Sequence, residues 1–174
     1  MKIVLIALAI VIVIVIVVVA VGAMLPVRHV ASRSAVLAAP VETVWQLMTD
    51  VSGFPAWRGD VKRVERLPDR EGRPVWVEES SSGRITLAVD RAEPPRLLVL
   101  RIADPDLPFG GTWTYELSAA GRGATTLKIT ENGEVYNPVF RFMSRFVFGH
   151  EGTIAGYLAA LEKRTSSPGA NHGI

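Results

Sequence analysis

The chain of 174 residues has no cysteine. That absence excludes a disulfide framework, a thiolate metal site and a cysteine nucleophile, and it leaves the redox compartment open. Net charge is also scarce, at +2. Without residues 1–25 the remainder holds 18 basic against 17 acidic side chains, so no strong basic field exists and nucleic acid is disfavoured as a main partner. There are three histidines, and no grouping of three plausible ligands is visible, which argues against a metal site. No cofactor is implied: "GGTWTYE" lacks the Lys-Ser/Thr end of a phosphate loop and is followed by a strand pattern, and no dinucleotide fingerprint occurs. Ser-His-Asp catalysis has no G-x-S-x-G elbow to support it.

The missing charge is most concentrated at the start. From Ile3 to Leu25 no charged or polar side chain appears. At 1.5 Å per residue this run reaches roughly 34 Å, enough to cross a hydrocarbon core of about 30 Å. Ala20, Gly22 and Ala23 resemble a signal-peptide cleavage site, but the apolar run exceeds the usual ~7–15 residues. The reading is therefore a single-pass membrane anchor over residues 1–25. Lys2 flanks one end, while Arg28 and Arg33, with His29 between them, flank the other. The positive-inside rule leans toward a cytoplasmic soluble domain, with a periplasmic or extracellular one as the alternative.

Past Pro26 the alternation of "VRHVASRSAVL" reads as a strand. Pro40 opens a short amphipathic helix with Val41, Val44, Trp45 and Met48 on one face. Asp50 or Ser52 caps a second short helix, ended by "FPAW". Six strand patterns follow from Val61 to Glu131, separated by turn-rich stretches such as "PDREGR", "SSG" and "AAGRGA". Asn137 is a good N-cap and Pro138 suits the first turn of a last helix of some 26 residues. On its wheel Phe140, Met143, Val147, His150, Ile154, Tyr157, Leu158 and Leu161 share a face, with Arg141, Arg145 and Lys163 opposite. The expected fold is α+β, with a curved seven-stranded antiparallel sheet around a long C-terminal helix. The domain spans residues 26–164 and a disordered tail covers 165–174.

Three segments, "AAPVETVWQLMTDVSGFPAWRGDVKRVE", "FGGTWTYEL" and "TLKITENGEVYNPVFRF", occur in this order before the last helix. In order and spacing they resemble the SRPBCC helix-grip superfamily of START lipid-transfer domains, birch-pollen-allergen-like proteins and polyketide cyclase/dehydrase-like proteins. The resemblance covers nearly everything from Val27 to Leu161. It implies a pocket for a small hydrophobic molecule such as a lipid, quinone or polyketide, and cyclase activity in a minority of members.

Glu131 continues the face of Leu127 and Ile129 at period two, which points it inward, where a carboxylate can serve as acid or base. Alternatively it pairs with an arginine such as Arg58 or Arg101. Glu134 is expected beyond a turn at Asn132-Gly133, in a loop near the helix N-terminus. His150 faces inward as a hydrogen-bonding group or a satisfied core histidine, whereas His29 lies beside the membrane. Trp113 and Tyr115 share a face, as do Trp76 and Glu78, and these rings suit either a pocket wall or a plain core. Phe142, Phe146 and Phe148 with Arg141 and Arg145 suit contact with anionic lipid, though scattered exposed aromatics are ordinary.

Three functions compete. The first is a membrane-anchored binder of a hydrophobic molecule, lined by Trp76, Trp113, Tyr115, Glu131, Phe140, Met143, Val147 and His150. The second is a cyclase-type enzyme using Glu131, and the third a membrane scaffold with a closed interior. The oligomeric state is not legible.

Overall fold

The structure is a computed structural model that describes residues 1–81, 83–149 and 151–166. Its order is helix α1 (Lys2–Met24), strand β1 (Arg28–Leu37), helix α2 (Val41–Thr49), a 3-10 turn (Val51–Ala56), and six strands. These are β2 (Val61–Arg70), β3 (Arg73–Ser80), β4 (Gly83–Glu93), β5 (Leu97–Ile102), β6 (Phe109–Ala119) and β7 (Thr125–Val135). Helix α3 (Pro138–Met143), a π-turn (Ser144–Phe148) and helix α4 (Gly152–Ser166) end the described chain.

The seven strands form one antiparallel sheet in the order β1-β7-β6-β5-β4-β3-β2. Hairpins join β2 through β7, while α2 and the 3-10 turn carry the chain from one edge strand, β1, to the other, β2. The buried inner face carries Leu37, Leu98, Leu100, Tyr115, Leu117, Leu127 and Ile129 against Val44, Met48, Val51 and Phe54. Ile154, Tyr157, Leu158 and Leu161 of α4, predicted inward from their spacing, close this core. The fold is thus an α+β helix-grip, as expected.

The final helix is not one continuous rod. Asn137 Oδ1 accepts from the amides of Val139 (2.9 Å) and Phe140 (3.3 Å), so the helix starts where the sequence places it. Six residues later it loosens into the π-turn, and Gly149, at φ 70° and ψ 168°, breaks it. Only glycine occupies that backbone region readily. Helical spacing alone carries straight through Gly149 and Gly152. At the far end α4 continues to Ser166 with Thr165 buried, past the expected boundary at residue 164, and Thr165 Oγ1 donates to the Leu161 carbonyl at 2.9 Å. The rest of the expected tail lies outside the described residues.

Helix α1 is apolar and long enough to cross a membrane, and its surface is exposed over most of its length. Three residues, Leu25 to Val27, join it to β1.

Candidate functional site

Strand alternation and register assemble the inner face. Trp113 of β6 stands opposite Leu100 of β5 and Glu131 of β7, and Tyr115 stands between Leu98 and Ile129. From the helix side Tyr157 meets the sheet's aromatics, with ring centroids 5.6 Å from Tyr115 and 6.4 Å from Trp113. Trp57, at the end of the 3-10 turn, lies edge-on to Tyr157 at 5.7 Å and to Phe54 at 5.6 Å. These tilted and T-shaped arrangements are the favoured geometry for aromatic quadrupoles.

A charged group is embedded among the rings. Arg58 Nη1 is 2.9 Å from Glu78 Oε2, and their side chains are only 12% and 7% exposed. The guanidinium also donates from Nη2 to Asp60 Oδ2 at 2.7 Å. Its Cζ lies 5.1 Å from the Phe54 ring centroid and 5.2 Å from that of Tyr157. Glu78 in turn accepts from Trp76 Nε1 at 3.0 Å. Burial opposes the charge on Arg58, but the Asp60 hydrogen bond and the Glu78 charge outweigh it and raise its pKa. Burial pushes the Tyr115 and Tyr157 hydroxyls up as well, so both remain protonated at neutral pH. The interior therefore presents a fixed cation, its carboxylate partner and two phenols within an aromatic wall.

A second polar pair lies at the β1–β7 side. Glu131 does face inward, opposite Ala31 and Trp113, and the side chain beside it is a histidine where an arginine such as Arg58 or Arg101 was the expected alternative. His29 Nε2 is 3.6 Å from Glu131 Oε1, with both side chains about one-fifth exposed or less. Arg58 is committed to Glu78 and Asp60, and Arg101 to Asp90. His29 sits in this position because Gly133, its cross-strand partner, has no side chain: a Cβ there would overlap the imidazole ring. Burial lowers the His29 pKa, favouring the neutral ring. The period-two series His29, Ala31, Arg33, Ala35, Leu37 carries this inward position, but the arginine within it and nearness in sequence to the anchor masked it.

The two glutamates are not a pair. The expected turn at Asn132-Gly133 is absent; β7 runs unbroken to Val135, with Asn132 opposite Thr112 and Gly133 opposite Gly111. Residues three apart on a continuous strand face opposite ways. Glu134 consequently lies on the outer face, where it accepts from Tyr136 Oη (2.9 Å) and Arg28 Nε (3.0 Å). These bonds hold its carboxyl below the usual range. It helps line an open outer groove of about 900 Å³ that also includes Arg101, Thr112 and Asn132.

Of the sequence-predicted lining, Trp76, Trp113, Tyr115 and Glu131 share the inner face, Trp76 and Tyr115 fully buried. Phe140 and Val147 do not join them: they are 50% and 57% exposed, and Met143 is half-buried on the same segment. The break at Gly149 separates their helical phase from that of α4, and α3 packs against α1 instead. His150 lies outside the described residues. No group of three or more His, Asp or Glu residues able to hold a metal ion occurs among the described residues.

The same fold occurs in several solved structures. A START superfamily protein from Mycobacterium smegmatis is 20% identical, with a TM-score of 0.64, covering 79% of this chain and 97% of its own. The Zhui aromatase/cyclase from a Streptomyces species is 16% identical at a TM-score of 0.65, covering 79% and 93%. Norcoclaurine synthase from Thalictrum flavum, in complex with dopamine and hydroxybenzaldehyde, is 14% identical at 0.61, covering 79% and 86%. At these identities the likeness is one of fold. No curated protein matches the sequence. The family profile described as polyketide cyclase/dehydrase and lipid transport matches residues 28–164, which takes in β1 through all but the last two residues of α4 and every inner-face residue named above, and the chain belongs to that family.

Proposed function

We propose that this protein is a membrane-anchored binder of a small hydrophobic molecule held between the sheet and α4. The observation that carries the reading is the embedding of Arg58, Glu78, Tyr115 and Tyr157 among Trp57, Trp76 and Trp113. Aromatic surface supplies apolar burial, at about 25 cal/mol per Å², and a few fixed polar groups orient the ligand. A molecule with an extended apolar body and one carbonyl or hydroxyl fits that chemistry; lipids, quinones and polyketides share it. Trp113, Tyr115 and Glu131 line the ligand, while Trp76 fixes Glu78. Residues 1–25 hold the domain at the bilayer and raise the local concentration of a membrane-borne ligand. The soluble domain lies on the cytoplasmic side, following Arg28 and Arg33.

The test is native mass spectrometry of the full chain purified in detergent, with solvent extraction of whatever accompanies it. A defined hydrophobic adduct is expected on the wild type and should be depleted in Trp113→Ala. An adduct insensitive to that change is annular lipid on α1, and the binding reading fails.

The inward Glu131 beside His29 supports a second reading, an enzyme of the cyclase type with Glu131 as acid or base. Glu131→Gln separates the two. A binder keeps its adduct and shows little other change; an enzyme keeps the adduct and loses conversion of it.

A further inference from the structure

The segment after β7 has a relationship to α1 that helical periodicity does not reveal. Helix α3 packs on the C-terminal turns of α1. The positions that lose exposure are Val18, Val21 and Gly22 of α1 and Leu25 just past its end, a single stripe at spacings of three and four. Gly22 is the contact point. It is buried, and a Cβ there would overlap the Pro138 carbonyl, so the backbones meet directly. Arg141 ties the junction by donating from Nη1 to the Leu25 carbonyl at 2.7 Å, satisfying an acceptor at the end of α1.

The other side of this segment is apolar and open. Val139, Phe140, Phe146 and Val147 are 40–59% exposed, and the Phe142 ring packs tilted against that of Phe146, with centroids 4.9 Å apart. Arg145 is exposed in the same stretch, and no acidic residue occurs between Val135 and Gly149. Val18 lies seven residues before Leu25, about 10 Å along the helix axis. That distance matches the depth at which interfacial helices sit, about 5–10 Å into the headgroup–acyl boundary.

We propose that Pro138–Phe148 is an interfacial membrane element, seated in the same leaflet that α1 exits, with Phe140 and Phe146 among the acyl chains and Arg145 among anionic headgroups. This rests on the reading of α1 as a membrane span. Continuity with α1 and the one-sided positive charge select an anionic bilayer surface as the occupant. The domain is thereby held against the bilayer at two places, α1 and this segment.

The cysteine-free chain allows single-site labelling. Phe146→Cys, Val147→Cys, Val13→Cys and Arg122→Cys variants of the full chain would each carry a polarity-sensitive fluorophore. They would be reconstituted in phosphatidylcholine vesicles containing phosphatidylglycerol, with spin-labelled lipids as depth quenchers. Val13 marks the middle of α1, and Arg122 lies in the β6–β7 turn. The expected result is deep quenching at Val13, shallow quenching at both Phe146 and Val147, and none at Arg122. Adding Arg145→Glu should weaken the shallow quenching in the anionic vesicles. Deep quenching at Val13 with none at Phe146 or Val147 overturns the proposal and leaves the anchor standing. No quenching at Val13 overturns the anchor itself, and the proposal with it.

Discussion

Arg58 Nη1 approaches Glu78 Oε2 to 2.9 Å inside the aromatic wall, with scarcely any of either side chain reaching solvent. Desolvating two charges is expensive, and their attraction repays it only when both are present and well hydrogen-bonded. Asp60 and Trp76 complete that shell. Either residue alone is a liability to the core.

Glu78→Gln should therefore destabilise the domain by up to about 3–5 kcal/mol, because the Arg58 charge loses its buried carboxylate partner and keeps only the more exposed Asp60. The double variant Arg58→Met, Glu78→Leu should lose much less. Urea unfolding followed by tryptophan fluorescence measures both. A loss in the double variant as large as that of Glu78→Gln or larger would show that the pair is not what makes the single change costly.

Gly133→Ala drives a methyl into the His29 ring. A strand position normally accepts alanine at least as well as glycine, so destabilisation of about 1–3 kcal/mol would report this overlap. Adding His29→Ala should recover most of the loss. If the second change brings no recovery, the ring is not the obstacle.

The His29 imidazole titrates below its ordinary value of 6.5 because burial disfavours its charged form. The sign follows from linkage: as pH falls below 6.5 the unfolded chain takes up this proton first, so the fold loses stability between 6.5 and the lower folded value. Above 6.5 the group contributes nothing to the pH slope. His29→Gln should flatten the slope in that window, and the imidazole shift followed by NMR should have its midpoint below 6.5. A midpoint above 6.5 would mean that Glu131 outweighs burial.

Two glycines near the end of the chain should respond oppositely to alanine. Gly156 lies exposed inside α4 with open space where a Cβ would go, so Gly156→Ala should stabilise by about 0.5–1 kcal/mol. Gly149→Ala should destabilise by about 1–3 kcal/mol, since its backbone conformation is strained for any L side chain. Thermal unfolding of the two variants distinguishes them by the direction of the shift.

The strands and the inward stripe of α4 were legible because alternation and helical spacing are local signals; Leu127, Ile129, Tyr157 and Leu161 fall where those periods place them. The break at Gly149 was not, because an apolar period counted across a glycine says nothing about φ. Asn132-Gly133 misled in the opposite sense: the pair is a turn signal in isolation, yet here Gly133 is kept in a central strand to make room for His29. Among site residues, the alternation of β6 and β7 fixed Trp113, Tyr115 and Glu131 on one face. The Arg58–Glu78 pair required knowledge of how the 3-10 turn meets β3, a tertiary fact that no local pattern carries.

The connection from α1 to β1 is only Leu25, Pro26 and Val27. Even stretched, three residues span about 10–11 Å, and proline stiffens them. With α1 in a bilayer, the domain has no slack to swing to a second membrane or to search the surrounding volume. In the proposed role such a domain would be a fixed post and not a shuttle, and any ligand would be taken up and given back within one domain's width of the same patch of membrane.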